Sequence, residues 1–226
     1  MRRTPVQAKA FETAYCLSSE AAALLHAGST AALPLSPEES AFCAGLAVPK
    51  RRLDWLAGRI AAKRALAAYF RQERGSAPAL EELVILNEPD GRPYCPFPGA
   101  PVFSLSHCSL GAVGAAGRDG RLVGADWETL ALRDARVLEM FVHESERSAA
   151  LGRSALLQTR LWASKEAVLK LLGVGLACDP RDVRLAPDLS LHAAALARFR
   201  ELGSPRITLS EELRQDSIIV IAVTGD

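Results

Sequence analysis

Leu161-Trp162-Ala163-Ser164-Lys165-Glu166-Ala167-Val168-Leu169-Lys170-Leu171-Leu172 is the stretch around which this chain is organised. Leu, Ala, Lys and Glu all favour a helix, and nothing interrupts the run before Gly173. Helical spacing places Glu166 and Lys170 on one face with Trp162, while Lys165 sits one position round, beside Leu161, Leu169 and Leu172. A Glu followed four residues later by Lys is ordinarily a solvated surface pair, so the rest of the chain must decide whether this one is more than that.

Upstream, Ala8 to Leu17 reads as an opening strand and Ser19 to His26 as a short helix. Ser36-Pro37-Glu38-Glu39 is a helix start with a hydroxyl cap, a proline at the first helical position and acids at the positive end of the dipole. A longer helix spans about Arg51 to Arg71 and carries Arg52, Arg59 and Lys63 at steps of seven and four, on one narrow face. Such a stripe is usually a wetted surface, but clustered guanidinium and ammonium groups also suit a phosphate. Leu83 to Leu86 predicts a strand, the turn-rich Asn87 to Pro93 presents Arg92, and the four prolines between Pro93 and Pro101 predict irregular chain.

Three strands follow: Val102 to Ser106, Ala112 to Ala116 and Arg121 to Glu128. The last two are joined by Gly117-Arg118-Asp119-Gly120, which reads as a hairpin turn. Ser106-His107 falls where the first strand gives way to a loop. In Gly124-Ala125-Asp126-Trp127-Glu128, strand alternation puts Asp126 and Glu128 on one face and turns Trp127 to the other. Two neighbouring carboxylates repel unless a cation lies between them, and a hard divalent ion such as magnesium suits oxygen donors; two solvated acids on an exposed edge are the alternative. Helical pattern resumes from Arg133, with a second start at Ser145-Glu146-Arg147, and the tail offers strands at Val183 to Leu185, Arg206 to Leu209 and Ser217 to Thr224. No repeat is obvious in the sequence.

The 226 residues suffice for one or two domains, and 49% hydrophobic with 23% charged content predicts a globular protein. A net charge of +1 offers no global field for nucleic acid or an anionic membrane, so any anion site must be local. The five scattered cysteines contain no C-x-x-C pair and read as reduced and structural. The basic start Met1 to Pro5 lacks an apolar signal core, and no apolar run reaches membrane-spanning length, so a cytoplasmic location is expected.

Taken together, Phe103-Ser104-Leu105-Ser106-His107, Gly124-Ala125-Asp126-Trp127-Glu128 and Trp162-Ala163-Ser164-Lys165-Glu166-Ala167-Val168-Leu169-Lys170 resemble, in that order, the 4′-phosphopantetheinyl transferases of the long, surfactin-synthetase-activating type. The resemblance spans roughly Arg51 to Gly175. It implies an α/β (α+β) fold: a pseudo-twofold pair of similar halves, 1–118 and 119–226, each a small, mostly antiparallel sheet packed with a long helix, with the active site in the cleft between them. It implies a monomer that moves the phosphopantetheine arm of coenzyme A to a serine of an apo acyl or peptidyl carrier protein and releases adenosine 3′,5′-bisphosphate.

On this resemblance Asp126, Glu128 and Glu166 hold magnesium, or manganese in its place. Glu166 is also the candidate general base, and Lys170 assists the leaving diphosphate. Ser106, His107, Lys165 and Lys170 face the phosphates of coenzyme A, while Arg59, with Lys63, Arg52 and Arg92, takes its 3′-phosphate and adenine end. Trp127 stands where the family commonly has a small aliphatic residue, and Ser40 where relatives often place a base. A non-catalytic coenzyme A or carrier-protein binding module of the same fold is the alternative reading.

Overall fold

In the computed structural model, residues 10–27, 33–148, 151–185 and 188–225 are described; the basic start of the chain lies outside them. The order of elements is β1 (Phe11–Leu17), α1 (Ser18–His26), α2 (Pro37–Gly45), α3 (Pro49–Arg74), β2 (Leu86–Asn87), β3 (Pro93–Tyr94), β4 (Phe103–Cys108), β5 (Gly111–Gly117) and β6 (Val123–Thr129). It continues with α4 (Ala135–Phe141), α5 (Ala155–Leu172), β7 (Val183–Arg184), β8 (Ser190–Leu191), α6 (Ala193–Glu201), β9 (Ile207–Arg214) and β10 (Ser217–Thr224).

Two antiparallel sheets carry the fold, in the strand orders β1-β5-β4 and β6-β10-β9. Each places its first strand at one edge and its third in the centre, and each is covered by a long helix, α3 or α5. The two halves therefore repeat one topology, although no repeat is visible in the sequence. Alternation divides the strand residues between two faces. Cys16, Ala112 and Ala116 pack on α3 and Ile218, Val220 and Ala222 on α5, while Val113, Ala115, Val123, Ala125, Trp127, Ile219 and Ile221 meet between the sheets. The result is four layers: helix, sheet, sheet, helix.

This layering overturns the expected hairpin between β5 and β6. Strand β5 is hydrogen-bonded on both edges, to β1 and to β4, so it has no free edge to offer. The turn after it, with Asp119 at φ 53° and Gly120 at φ 73°, carries the chain into the second sheet instead. Trp127 lies between the sheets as alternation predicts, edge-on to Tyr15 at 6.0 Å, with the Arg214 guanidinium 5.0 Å from its ring and 4.3 Å from that of Tyr15.

Helix boundaries follow their caps. Ser36 and Glu39 form a reciprocal capping box at α2; Ser154 caps α5 through Leu157 N, and Gly173 ends it in the left-handed region at φ 69°. Of the expected strand at Leu83 to Leu86 only Leu86 lies in a strand, β2, paired with β3, while Leu83 and Ile85 are buried in the core outside any ladder. The expected second start near Ser145 is a single 3-10 turn capped by His143, and α6 is a helix the sequence reading missed. No described helix is long and apolar enough to cross a membrane.

The two halves also repeat one polar device. Lys63 of α3 is fully buried and bonds Glu39, whose carboxylate also accepts from Ser36 N and Ile85 N at 3.0 and 3.1 Å. Lys165 of α5 is likewise fully buried and bonds Glu146 at 2.7 Å, and Glu146 accepts from His143 N at 3.0 Å and Leu185 N at 2.8 Å. Burial pushes both ammonium groups below the ordinary lysine range, and their carboxylate partners oppose that shift. Losing one member of such a pair strands a charge in the interior. Lys63→Met and Lys165→Met are each expected to cost about 3–5 kcal/mol in urea unfolding. Adding Glu146→Gln to Lys165→Met should recover part of that loss; a double variant no more stable than the single would refute the pairing as the cause.

Candidate functional site

Strands β4 and β6 are the facing edges of the two sheets, and side chains rather than a backbone ladder join them. Ser104 Oγ accepts from Ala125 N at 3.0 Å, and Ser106 Oγ donates to Asp126 Oδ1 at 2.7 Å. The i, i+2 spacing of Ser104 and Ser106 puts both hydroxyls on the same side of β4. The site is built at this seam, where the acid-bearing face of β6 looks towards α5.

Gly124 sets the distance. A Cβ there would run into the carbonyl oxygen of Ala167 and the amide of Leu171, so only glycine lets α5 lie this close to the strand. Asp126 and Glu128 then reach the Trp162–Glu166–Lys170 face of the helix. Lys170 Nζ donates to Asp126 Oδ1 at 2.7 Å and to Ala125 O at 3.1 Å. Trp162 Nε1 donates to Glu128 Oε1 at 2.9 Å, and Arg133 Nη2 lies 3.5 Å from Glu128 Oε2. The Glu166 side chain makes no hydrogen bond or ion pair among the described residues.

The charges on this face are in tension. Burial first, then the neighbouring Asp126, raises the Glu128 carboxyl above the ordinary glutamate range, against the Trp162 hydrogen bond and the cations Arg133 and Lys170. Burial also raises Glu166; Lys170 opposes the shift, while Asp126 and Glu128 add to it. Asp126, 3% exposed, keeps its Oδ2 buried without a hydrogen-bond partner. Among the described residues no three acids, histidines or cysteines are grouped so as to hold a metal ion. Asp126 and Glu128 offer oxygen donors only, of the kind a hard divalent cation takes, and one of these oxygens, Asp126 Oδ2, is buried and unsatisfied.

Two cavities adjoin the seam. The first, about 370 Å³, is lined by Lys50, Arg51, Asp54, Trp55, Arg59 and His107, and Lys50 pairs with Asp54 at 2.5 Å. Arg59 sits 4.8 Å over the Trp55 ring, and its buried Nε makes no hydrogen bond but lies 4.0 Å from Glu39 Oε1. The second, about 300 Å³, has Arg92, Tyr94, Phe103, Lys170 and Arg198 in its wall. Arg92 pairs with Asp90 at 2.7 Å and covers Gly173, at the end of α5.

The predicted basic stripe does not act as one surface. Arg59 lines the first cavity, but Lys63 is consumed by Glu39 and Arg52 donates to Ala44 O and Leu46 O, closing the end of α2. Lys165, expected near phosphates, is bonded to Glu146 and Pro180 O. A helical repeat reports which residues share a face and not what lies opposite, so these three reassignments needed the fold. Ser106 is bonded to Asp126 and only 7% exposed, whereas His107 is exposed at the cavity mouth. Lys50, Arg51, Trp55 and Arg133 were not singled out as site residues, although Arg51 stands beside the chosen Arg52; Ser104 was quoted only as part of the motif that ends in Ser106-His107.

Residues 122–220, under half of the chain but including both β6 acids and all of α5, match the family model of the 4′-phosphopantetheinyl transferase superfamily. No curated protein matches. Among solved structures, the chain is similar to a holo-ACP-synthase from Plasmodium yoelii, with 21% identity and a TM-score of 0.38 over 45% of this chain and 91% of that one. It is also similar to an ACPS–CoA complex from Chronobacterium ammoniagenes, with 20% identity and a TM-score of 0.39 over 46% and 95%.

The raised carboxyl of Glu166 has a thermodynamic consequence. A folded-state pKa above the unfolded value stabilises the protein below the ordinary glutamate pKa, and that contribution is lost as pH rises through the raised value. With divalent cations chelated, Glu166→Gln should therefore melt higher than wild type at neutral pH, and the difference should vanish on acidification. Melting temperature across pH checks this; an equal gain at every pH would reject it.

Proposed function

We propose that this chain transfers the 4′-phosphopantetheine group of coenzyme A to a serine hydroxyl of an apo carrier protein, releasing adenosine 3′,5′-bisphosphate. The observation that carries the reading is the meeting of Asp126, Glu128, Glu166 and Lys170 at one seam, with the Asp126 Oδ2 unpaired and a basic cavity alongside. The superfamily match over 122–220 supports it.

Coenzyme A would span the cleft between the halves 1–118 and 119–226. In the first cavity Arg59, with Arg51, Lys50 and His107, would neutralise its 3′-phosphate, and Trp55 supplies an aromatic face beside Arg59. Arg92 lies in the second cavity with Lys170 and would extend this grip. Binding so far from the reacting phosphorus fixes the donor in place, which is where much of the acceleration of a phosphoryl-type transfer originates.

Asp126 and Glu128 would hold a magnesium ion, which supplies charge neutralisation at the diphosphate when bound. To accept it, Asp126 has its free Oδ2, and Lys170 can turn from Oδ1 to the leaving diphosphate oxygen. Glu166 is unbonded, and its raised carboxyl moves its proton affinity towards that of a working general base. It would take the proton of the carrier serine as the serine oxygen forms its bond to phosphorus and the diphosphate bond breaks.

Mass gain of an apo carrier protein incubated with coenzyme A and magnesium tests the reading. Asp126→Ala, Glu128→Ala and Glu166→Ala should each lower transfer at least about a hundredfold while the fold is kept. Near-normal magnesium-dependent labelling by Asp126→Ala would sink the metal assignment. Arg59→Ala should raise the KM for coenzyme A roughly tenfold with kcat little changed; an unchanged KM would argue against the phosphate contact.

A further inference from the structure

Arg133 lies in the turn between β6 and α4, and more is invested in holding it than a connecting residue needs. Its backbone N–H donates to Gln158 Oε1 at 2.7 Å, and Gln158 Nε2 donates in turn to Leu151 O at 3.0 Å. Two residues earlier, Ala131 N donates to Thr159 Oγ1 at 3.1 Å, and the same hydroxyl lies 3.3 Å from Arg133 Nη1. Gln158 and Thr159 are 1% and 0% exposed on the first turns of α5, where apolar residues would pack without the cost of desolvation. Both are spent on the 131–133 turn.

The guanidinium so placed lies 6.0 Å over the Phe141 ring and 5.8 Å over the Trp162 ring, two rings that themselves meet edge-on at 5.1 Å. Its outer nitrogen faces Glu128 Oε2, while Trp162 holds Glu128 Oε1. Both oxygens of the same carboxylate are thus held by groups that are fixed themselves, and each oxygen keeps a further lone pair. The charged neighbours of Glu128 are Asp126 on its own strand, Glu166 and Lys170 on α5 and Arg133 on the turn.

We infer that Arg133 is a positioning residue which, with Trp162, orients Glu128 as a ligand for the divalent cation. The inference rests on the function proposed above. Arg133 touches neither substrate nor cation in this role; it fixes the carboxylate and offsets the charge of Asp126 beside it. A planar guanidinium suits the task because it can stack on aromatic faces while its edge meets an oxygen, which an ammonium cannot do. The outer partners of metal-binding carboxylates typically change metal affinity by 10–100-fold when removed.

Direct binding of Mn²⁺, measured from the free-ion EPR signal without coenzyme A or carrier, tests this on the full chain. R133M should weaken Mn²⁺ binding about tenfold, with R133K between it and wild type. In the transfer assay R133M should need correspondingly more magnesium, regain kcat at saturating magnesium and keep its KM for coenzyme A. Unaltered Mn²⁺ affinity in R133M, alongside weakened affinity in E128Q, would overturn the role of Arg133 and leave the proposed function standing. Unaltered affinity in E128Q itself would remove Glu128 as a ligand, and the role of Arg133 with it. If R133M fails to fold, R133K and R133Q make the same comparison.

Discussion

Two lysine ammonium groups sealed from water are the constraint on which the rest of this molecule depends. Neither Lys63 nor Lys165 can stay charged in the interior without its glutamate, and neither glutamate would be filled by lysine alone: each also takes two backbone N–H groups. Each pair ties a long helix to segments far along the chain, Ser36 and Ile85 for α3, His143 and Leu185 for α5. Because Lys165 is held on one side of α5, the side bearing Trp162, Glu166 and Lys170 is turned towards β6.

That orientation gives the seam between the sheets its chemistry. Two sheets could have joined by pairing the edges of β4 and β6, which would have satisfied the backbone and left no room for side-chain work. Here serine hydroxyls make the joint, and one of them shares Asp126 with Lys170. Burial, and then the neighbouring Asp126, raises the proton affinity of Glu128, a local cost that comes with the close approach of the helix at Gly124. Conflict of this kind, confined to one seam in an otherwise consistent structure, is how a fold pays for a site.

The cavity over Trp55 and Arg59 shows how the repeated halves diverge. Both long helices carry the buried lysine, yet the basic cavity belongs to α3 and the acid-facing surface to α5. Two like units thus present different surfaces, one with a cavity lined by basic residues and one bearing acids.

Much of this was readable beforehand. Strand alternation separated Asp126 and Glu128 from Trp127, helical spacing joined Trp162, Glu166 and Lys170, and Ser36 and Gly173 marked helix ends to within a residue or two. These are local rules, decided within a few residues of chain, and here local and global preferences agree. The same rules could not name the partners of Lys63, Lys165 and Arg52, because a charged residue on a periodic face reads alike whether it meets water, a ligand or a buried carboxylate. They also missed the internal repeat, since what the halves share is strand order and a buried ion pair rather than residue identities. The sequence by itself determined which residues could act and on which face of strand or helix they lie. Only the tertiary structure decided which charges are consumed inside and which remain at the seam, because partners dozens of residues apart are chosen by burial and packing rather than by spacing.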